Sequence, residues 1–114
     1  MRRSFALITC LTAASLLGGC ASAYKSFYRE TEHKTKPAPV APQNVRVVKS
    51  ADDLEQSWIE LGLYKGHAPT VNEAMEAAQV ACGKAGADFF ILYTEPYAAR
   101  DVWKVDGFCA AASS

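Results

Sequence analysis

Four cysteines, Cys10, Cys20, Cys82 and Cys109, and two histidines, His33 and His67, are the side chains of this 114-residue sequence best suited to ligate a metal, carry electrons or attack a carbonyl. Their spacing restricts each chemistry. Redox pairs usually bring two thiols together in a C-x-x-C turn, with one exposed and acidified, and no two cysteines here are closer than ten positions. Zinc asks for three or four protein ligands. His33 lies in a polar, proline-bearing stretch and His67 in a loop, so neither has an evident partner set. G-x-S-x-G, H-E-x-x-H and a phosphate loop are absent, and Gly62-x-x-x-Gly66 is too short for a P-loop. The carboxylates are scattered as on a solvated surface. No residue is nominated as catalytic or as a metal ligand, no cofactor is implied, and a non-enzyme is expected.

The first two cysteines belong to a different chemistry. Met1-Arg2-Arg3 is a cationic stub, and the 13 residues from Phe5 to Leu17 carry no charge, the order of an export signal. At the helical rise that run covers about 20 Å, short of a bilayer's hydrocarbon core. Leu17-Gly18-Gly19-Cys20 resembles the lipobox of bacterial lipoproteins, with Gly in a position where Ala or Ser is commoner. The resemblance implies cleavage before Cys20, a diacylglyceryl group on its sulfur and acylation of the new amino end. One acyl chain binds a membrane marginally, whereas two or three hold firmly. Ala21 is not the Asp associated with inner-membrane retention, so the expected address is the periplasmic face of the outer membrane.

Removing Cys10 and lipidating Cys20 leaves Cys82 and Cys109 as the only thiols. In an oxidising compartment a lone pair in a small domain reads first as a disulfide. The alternatives that stay open are thiol redox chemistry and metal binding.

Charge separates the mature chain into two parts. Tyr24 to Lys36 holds four Lys/Arg and two Asp/Glu, and Asn44 to the end holds six and ten. The acidic larger part makes nucleic acid an unsuitable partner. Residues 20–43 read as the lipidated cysteine and a tether, stiffened by Pro37, Pro39 and Pro42, with an upper reach of about 70 Å. Tyr24, Phe27 and Tyr28, with Lys25 and Arg29, read either as headgroup-interface residues or as solvated linker.

Residues 44–114 are expected to form one small α/β (α+β) domain of order β-β-α-β-β, with one helix on a three- to four-stranded mixed sheet. NVRVVKS supplies the first strand. SWIELGLYKG supplies the second, with Ile59, Leu61 and Leu63 on one face and Trp58, Glu60, Gly62 and Tyr64 on the other. Thr70-Val71-Asn72-Glu73 fits a capping box and Gly86 a left-handed stop. Between them Val71, Ala74, Met75, Ala78, Ala81, Cys82 and Ala85 share a face rich in alanine, so this helix should lie close to its sheet. FFILYTE, from Phe89, is too continuously apolar for an edge strand. After a turn at EPYAARD, VWKVDGFCA places Trp103, Val105, Gly107 and Cys109 on one face and Val102, Lys104, Asp106 and Phe108 on the other. Both Cys82 and Cys109 therefore aim into the layer between helix and sheet.

The segment IELGLYKGHAPTVNEAMEAAQVACGKAGADFFIL, with its Lys84-x-Gly86-Ala87-Asp88 helix stop, resembles the domains of RcsF-type outer-membrane stress-sensor lipoproteins and of the YbjQ-type heavy-metal-binding family. The first resemblance implies a lipidated, tethered, disulfide-bearing module that senses envelope stress. RcsF-type domains carry two disulfides, and this chain has thiols for one. One helix covers one sheet face only, leaving Trp58, Tyr64, Phe108 and one of Phe89 or Phe90 on the other. The expected role of that aromatic face is to bind another envelope protein or a second copy of the chain.

Overall fold

The computed structural model describes residues 23–113. One helix, α1 (Val71–Lys84), lies on a six-stranded mixed sheet built from β1 (Lys25–Glu30), β2 (Arg46–Val48), β3 (Trp58–Ala68), β4 (Phe89–Leu92), β5 (Tyr97–Ala99) and β6 (Val102–Ala112). The spatial order is β1-β3-β6-β4-β2, and β5 pairs with the start of β6 on the flank that β4 occupies further along. Only β2 and β4 run parallel; every other pairing is antiparallel. Because β3 and β4 are each antiparallel to β6, α1 carries the chain over β6 between two strands of the same direction.

The sheet thus has six strands where three to four were expected, two more than the β-β-α-β-β order supplies. One is β5, whose Tyr97–Ala99 folds back on Val102–Lys104 through a tight turn at Arg100, φ 59°. The other is β1, which comes from the segment read as tether and pairs along its whole length with Gly62–His67 of β3. Its sequence hides it because five of its six residues are exposed and only Tyr28 turns inward, so no alternation of apolar residues marks it. The proline-bearing stretch also packs on the fold. The Val40 amide donates to the Gly83 carbonyl at 2.8 Å, and a side chain at Gly83 would run into the Val40 carbonyl. A helix-interior glycine that costs roughly 1 kcal/mol in propensity is what lets this backbone cross the helix so closely.

Local rules account for α1. The Thr70 hydroxyl accepts from the Glu73 amide at 3.2 Å, satisfying one of the four orphan amides of the first turn. At the other end the Ala87 amide donates to Cys82 and the Gly86 amide to Gly83, each at 2.9 Å, with Gly86 at φ 85°, a Schellman stop. Ala74, Ala78 and Cys82 are fully buried, so the helix sits close on the sheet as its alanine face requires.

The bulk of the helix-side core comes from the sheet: Leu61, Tyr64, Phe90, Leu92 and Val105, with Val45 closing the far side. Each such side chain contributes roughly 1.5–3 kcal/mol on leaving water. Cys82 and Cys109 are joined, Cα to Cα 5.2 Å, tying the helix's last turn to the central strand. A second cluster lies on the opposite face: Val48, Phe89, Ile91, Phe108 and Ala110, with Leu54, Trp58 and Leu63 against it.

Candidate functional site

The expected aromatic surface of Trp58, Tyr64 and Phe108 does not assemble. Trp58 and Phe108 do meet, ring centres 5.3 Å apart, and Tyr93 joins from the other side of Phe108 at 5.4 Å. Tyr64 faces the helix instead, fully buried, edge-on to Phe90 at 5.7 Å, with its hydroxyl 2.8 Å from Ser26 Oγ. The reason is a bulge. Glu60 pairs with Ala110 and Gly62 with Cys109, leaving Leu61 as the extra residue of β3. Past a bulge the side-chain alternation inverts, so Leu61 and Tyr64 share a face that strict alternation would deny them. Phe108 itself is only 9% exposed, because Ala51 and Leu54 of the chain leading into β3 fold across it. The part of that face around Phe108 is therefore closed by the protein's own segment 49–57, and Tyr93, which packs on Phe108, stays 58% exposed.

The two bridged cysteines have no exposed area, so a thiol from solvent has no line of attack on the bridge in the folded state. Cys20 lies outside the described residues. Among the described residues no three His, Cys, Asp or Glu side chains converge as a metal site, and no helix is long and apolar enough to cross a membrane.

An apolar opening lies between β1 and α1. It is a groove of about 750 Å³ whose walls are Ser26, Tyr28 and Glu30 of β1 and Ala77, Val80, Ala81 and Lys84 of α1. The same alternation that puts Tyr28 inward places Ser26 and Glu30 beside it, and the helix contributes the flank that includes Val80, 39% exposed. No strand pairs with the outer side of β1 among the described residues, so its outward backbone amides and carbonyls are free to pair. The Tyr28 hydroxyl is buried without a hydrogen-bond partner among the described residues. Burial raises its pKa above the phenol's ordinary value, with Glu30 and Glu60 adding to the effect, so it is a neutral donor and acceptor at any physiological pH. Next to it the His33 ring is 10% exposed, Nε2 3.4 Å from Glu30 Oε1. The arrangement can take an extended apolar segment: a sheet edge for its backbone and an alanine and valine wall for its side chains. Sequence reasoning missed this groove because it missed β1, and the adjacent Phe27 and Tyr28 were its only hint.

No protein-family model matches the chain. No curated protein matches it either. Among solved structures, that of a Francisella virulence factor, FvfA, matches with a TM-score of 0.52 at 13% sequence identity, covering 75% of this chain and 96% of that one. At that identity the likeness concerns the fold alone.

Proposed function

We propose that this chain is a non-enzymatic lipoprotein, held at the periplasmic face of the outer membrane by acyl chains on Cys20, whose folded part binds an extended segment of another envelope protein. The anchoring rests on the signal and lipobox pattern ending at Cys20. The binding role rests on one observation, the open edge of β1 beside the apolar groove. A bound segment would add a strand to β1, its backbone bonds giving affinity and its alternate side chains entering the groove, a recurrent mode of peptide recognition. The resemblance to RcsF-type stress sensors makes a sensing or envelope-integrity role the preferred biological setting, and the fold likeness to a virulence factor is compatible with it.

A photoactivatable amino acid placed at Val80, which lines the groove, tests the reading in intact cells, with the same label at Lys49, away from the groove, as the control. A discrete heavier adduct from Val80 and none from Lys49 is expected. Equal labelling from both positions, or no adduct from either, would count against a groove-bound partner.

A further inference from the structure

One end of the sheet is basic and aromatic on the face away from the helix. Lys25 of β1 pairs with His67 of β3, His67 with Lys104 of β6, and Lys104 with Tyr97 of β5. The next row on that face is Phe27, Lys65 and Asp106, and the two rows border one shallow hollow. Three lysines thus face a single carboxylate there, and Asp106 also accepts from the Tyr97 hydroxyl at 3.3 Å. The β5–β6 turn adds Arg100 with Asp101 beside it, and on the helix side Glu73 accepts from the Tyr24 hydroxyl at 2.6 Å. At the opposite end of the sheet the balance reverses: Asp53 and Glu55 surround Arg46, and Asp88 accepts from the Ala112 amide. Tyr24, Phe27, Tyr97 and Trp103, four of the six exposed large apolar or aromatic side chains among the described residues, belong to the basic end. Lysines mixed with amphipathic rings are the composition that headgroup layers favour.

Chain length decides what this end faces. The His67 ring is fixed to the amino-terminal segment by a 3.1 Å hydrogen bond between Nδ1 and the Ala23 carbonyl; a carbonyl can only accept, so Nδ1 carries the proton. Ala23 is three residues after Cys20. Three residues reach at most about 11 Å however they run, so Cys20 stays within that distance of the basic end. The long tether expected from residues 20–43 is reduced to the few that precede β1.

We infer that this end is a membrane-docking face, an inference that rests on the Cys20 anchoring proposed above: Lys25, Lys65 and Lys104 lie against the phosphates of anionic phospholipids in the leaflet that takes the acyl chains. The strands and α1 then stand along the membrane normal, with the β1–α1 groove rising along their length.

The protein's two tryptophans report this directly, since Trp103 pairs with Ala68 at the docked end and Trp58 opens the same strand at the other end, roughly 33 Å away at strand rise. The mature acylated protein, as single-tryptophan variants Trp58→Phe and Trp103→Phe, is reconstituted in vesicles containing headgroup-spin-labelled lipid, with phosphatidylcholine alone or with added phosphatidylglycerol. Quenching of Trp103 several-fold stronger than of Trp58 is expected on anionic vesicles. It should be lost in 1 M salt, where the screening length falls to about 3 Å, and lost in Lys25→Gln/Lys65→Gln/Lys104→Gln while that variant still floats with vesicles. Protein that fails to float with any vesicle overturns the anchoring and the docking together. Protein that floats, but whose tryptophans quench alike or without regard to lipid charge and salt, overturns the docking alone.

Discussion

Breaking the Cys82–Cys109 bridge should remove a large part of this domain's stability. The bridge spans 27 residues, and in the chain-entropy model a loop of that length restricts the unfolded ensemble by about 3.5 kcal/mol. Little in the native state offsets that figure: both cysteines are fully buried, and the elements they join, α1 and β6, are each held independently by packing and by the sheet. For a small domain 1 kcal/mol corresponds to roughly 4–8 °C in midpoint, so a fall of about 14–28 °C is expected. The assay is thermal unfolding followed by circular dichroism on residues 20–114 carrying Cys20→Ser. It compares the oxidised protein, the same protein after reduction, and Cys82→Ala/Cys109→Ala. Reduction keeps both sulfurs in the core, so the part of the loss common to the reduced protein and the double variant belongs to the cross-link rather than to packing. The denaturant slope should also rise in both, because the unlinked chain unfolds to a more open ensemble. A midpoint shift below about 5 °C in both arms would refute the assignment of the bridge as the main constraint on the unfolded chain.

Two further outcomes follow from the same geometry. In Gly62→Ala the new methyl meets the Tyr28 ring, so stability should fall by roughly 1–3 kcal/mol, the usual cost of overpacking. The Thr31 amide, bonded to the Leu61 carbonyl at 3.0 Å, should lose hydrogen-exchange protection ahead of the core strands; unchanged protection would mean that β1 is not seated through Tyr28. Burial raises the Tyr64 phenol above its ordinary value of 10.0, its hydrogen bond with Ser26 acting in the opposite sense, and Tyr28 is raised by burial and then by Glu30 and Glu60. The folded state therefore holds these protons more tightly than the unfolded one, so the stability is fully present below pH 10 and declines as pH rises through the folded values. Denaturant midpoints measured up the alkaline range, with Tyr64→Phe showing a shallower decline, check this; a flat profile to about pH 11 would contradict it.

The parts of the fold legible in the sequence were those governed by strong local rules. The cap at Thr70, the alanine face through Ala74 and Ala78 and the stop at Gly86 located α1, and strict alternation along β6 placed Val105 and Cys109 toward the helix and Phe108 away from it. Two independent periodicities thus sufficed to bring Cys82 and Cys109 together. What escaped was decided by tertiary contact. β1 is a strand because β3 offers it an edge and because Gly62 leaves room for Tyr28, and neither condition is written in residues 25–30 themselves. Strict alternation puts Tyr64 on the wrong face because a single extra residue, Leu61, inverts it, and a bulge of that kind leaves only an ambiguous glycine as its mark. The groove inherited the first error, and the expected aromatic surface the second. The closure of that surface by Leu54 likewise depends on how residues 49–57 return across the sheet, a path without periodicity.

The anchoring at Cys20 is the claim on which both the proposed role and the orientation at the membrane depend. Intact-mass measurement of the protein extracted from cell membranes tests it most directly. The expected species begins at Cys20, lacks residues 1–19, carries a diacylglyceryl group with an additional acyl chain, and is two hydrogens lighter for the Cys82–Cys109 bridge. An unacylated chain, whether it begins at Met1 or at any later residue, would contradict the account.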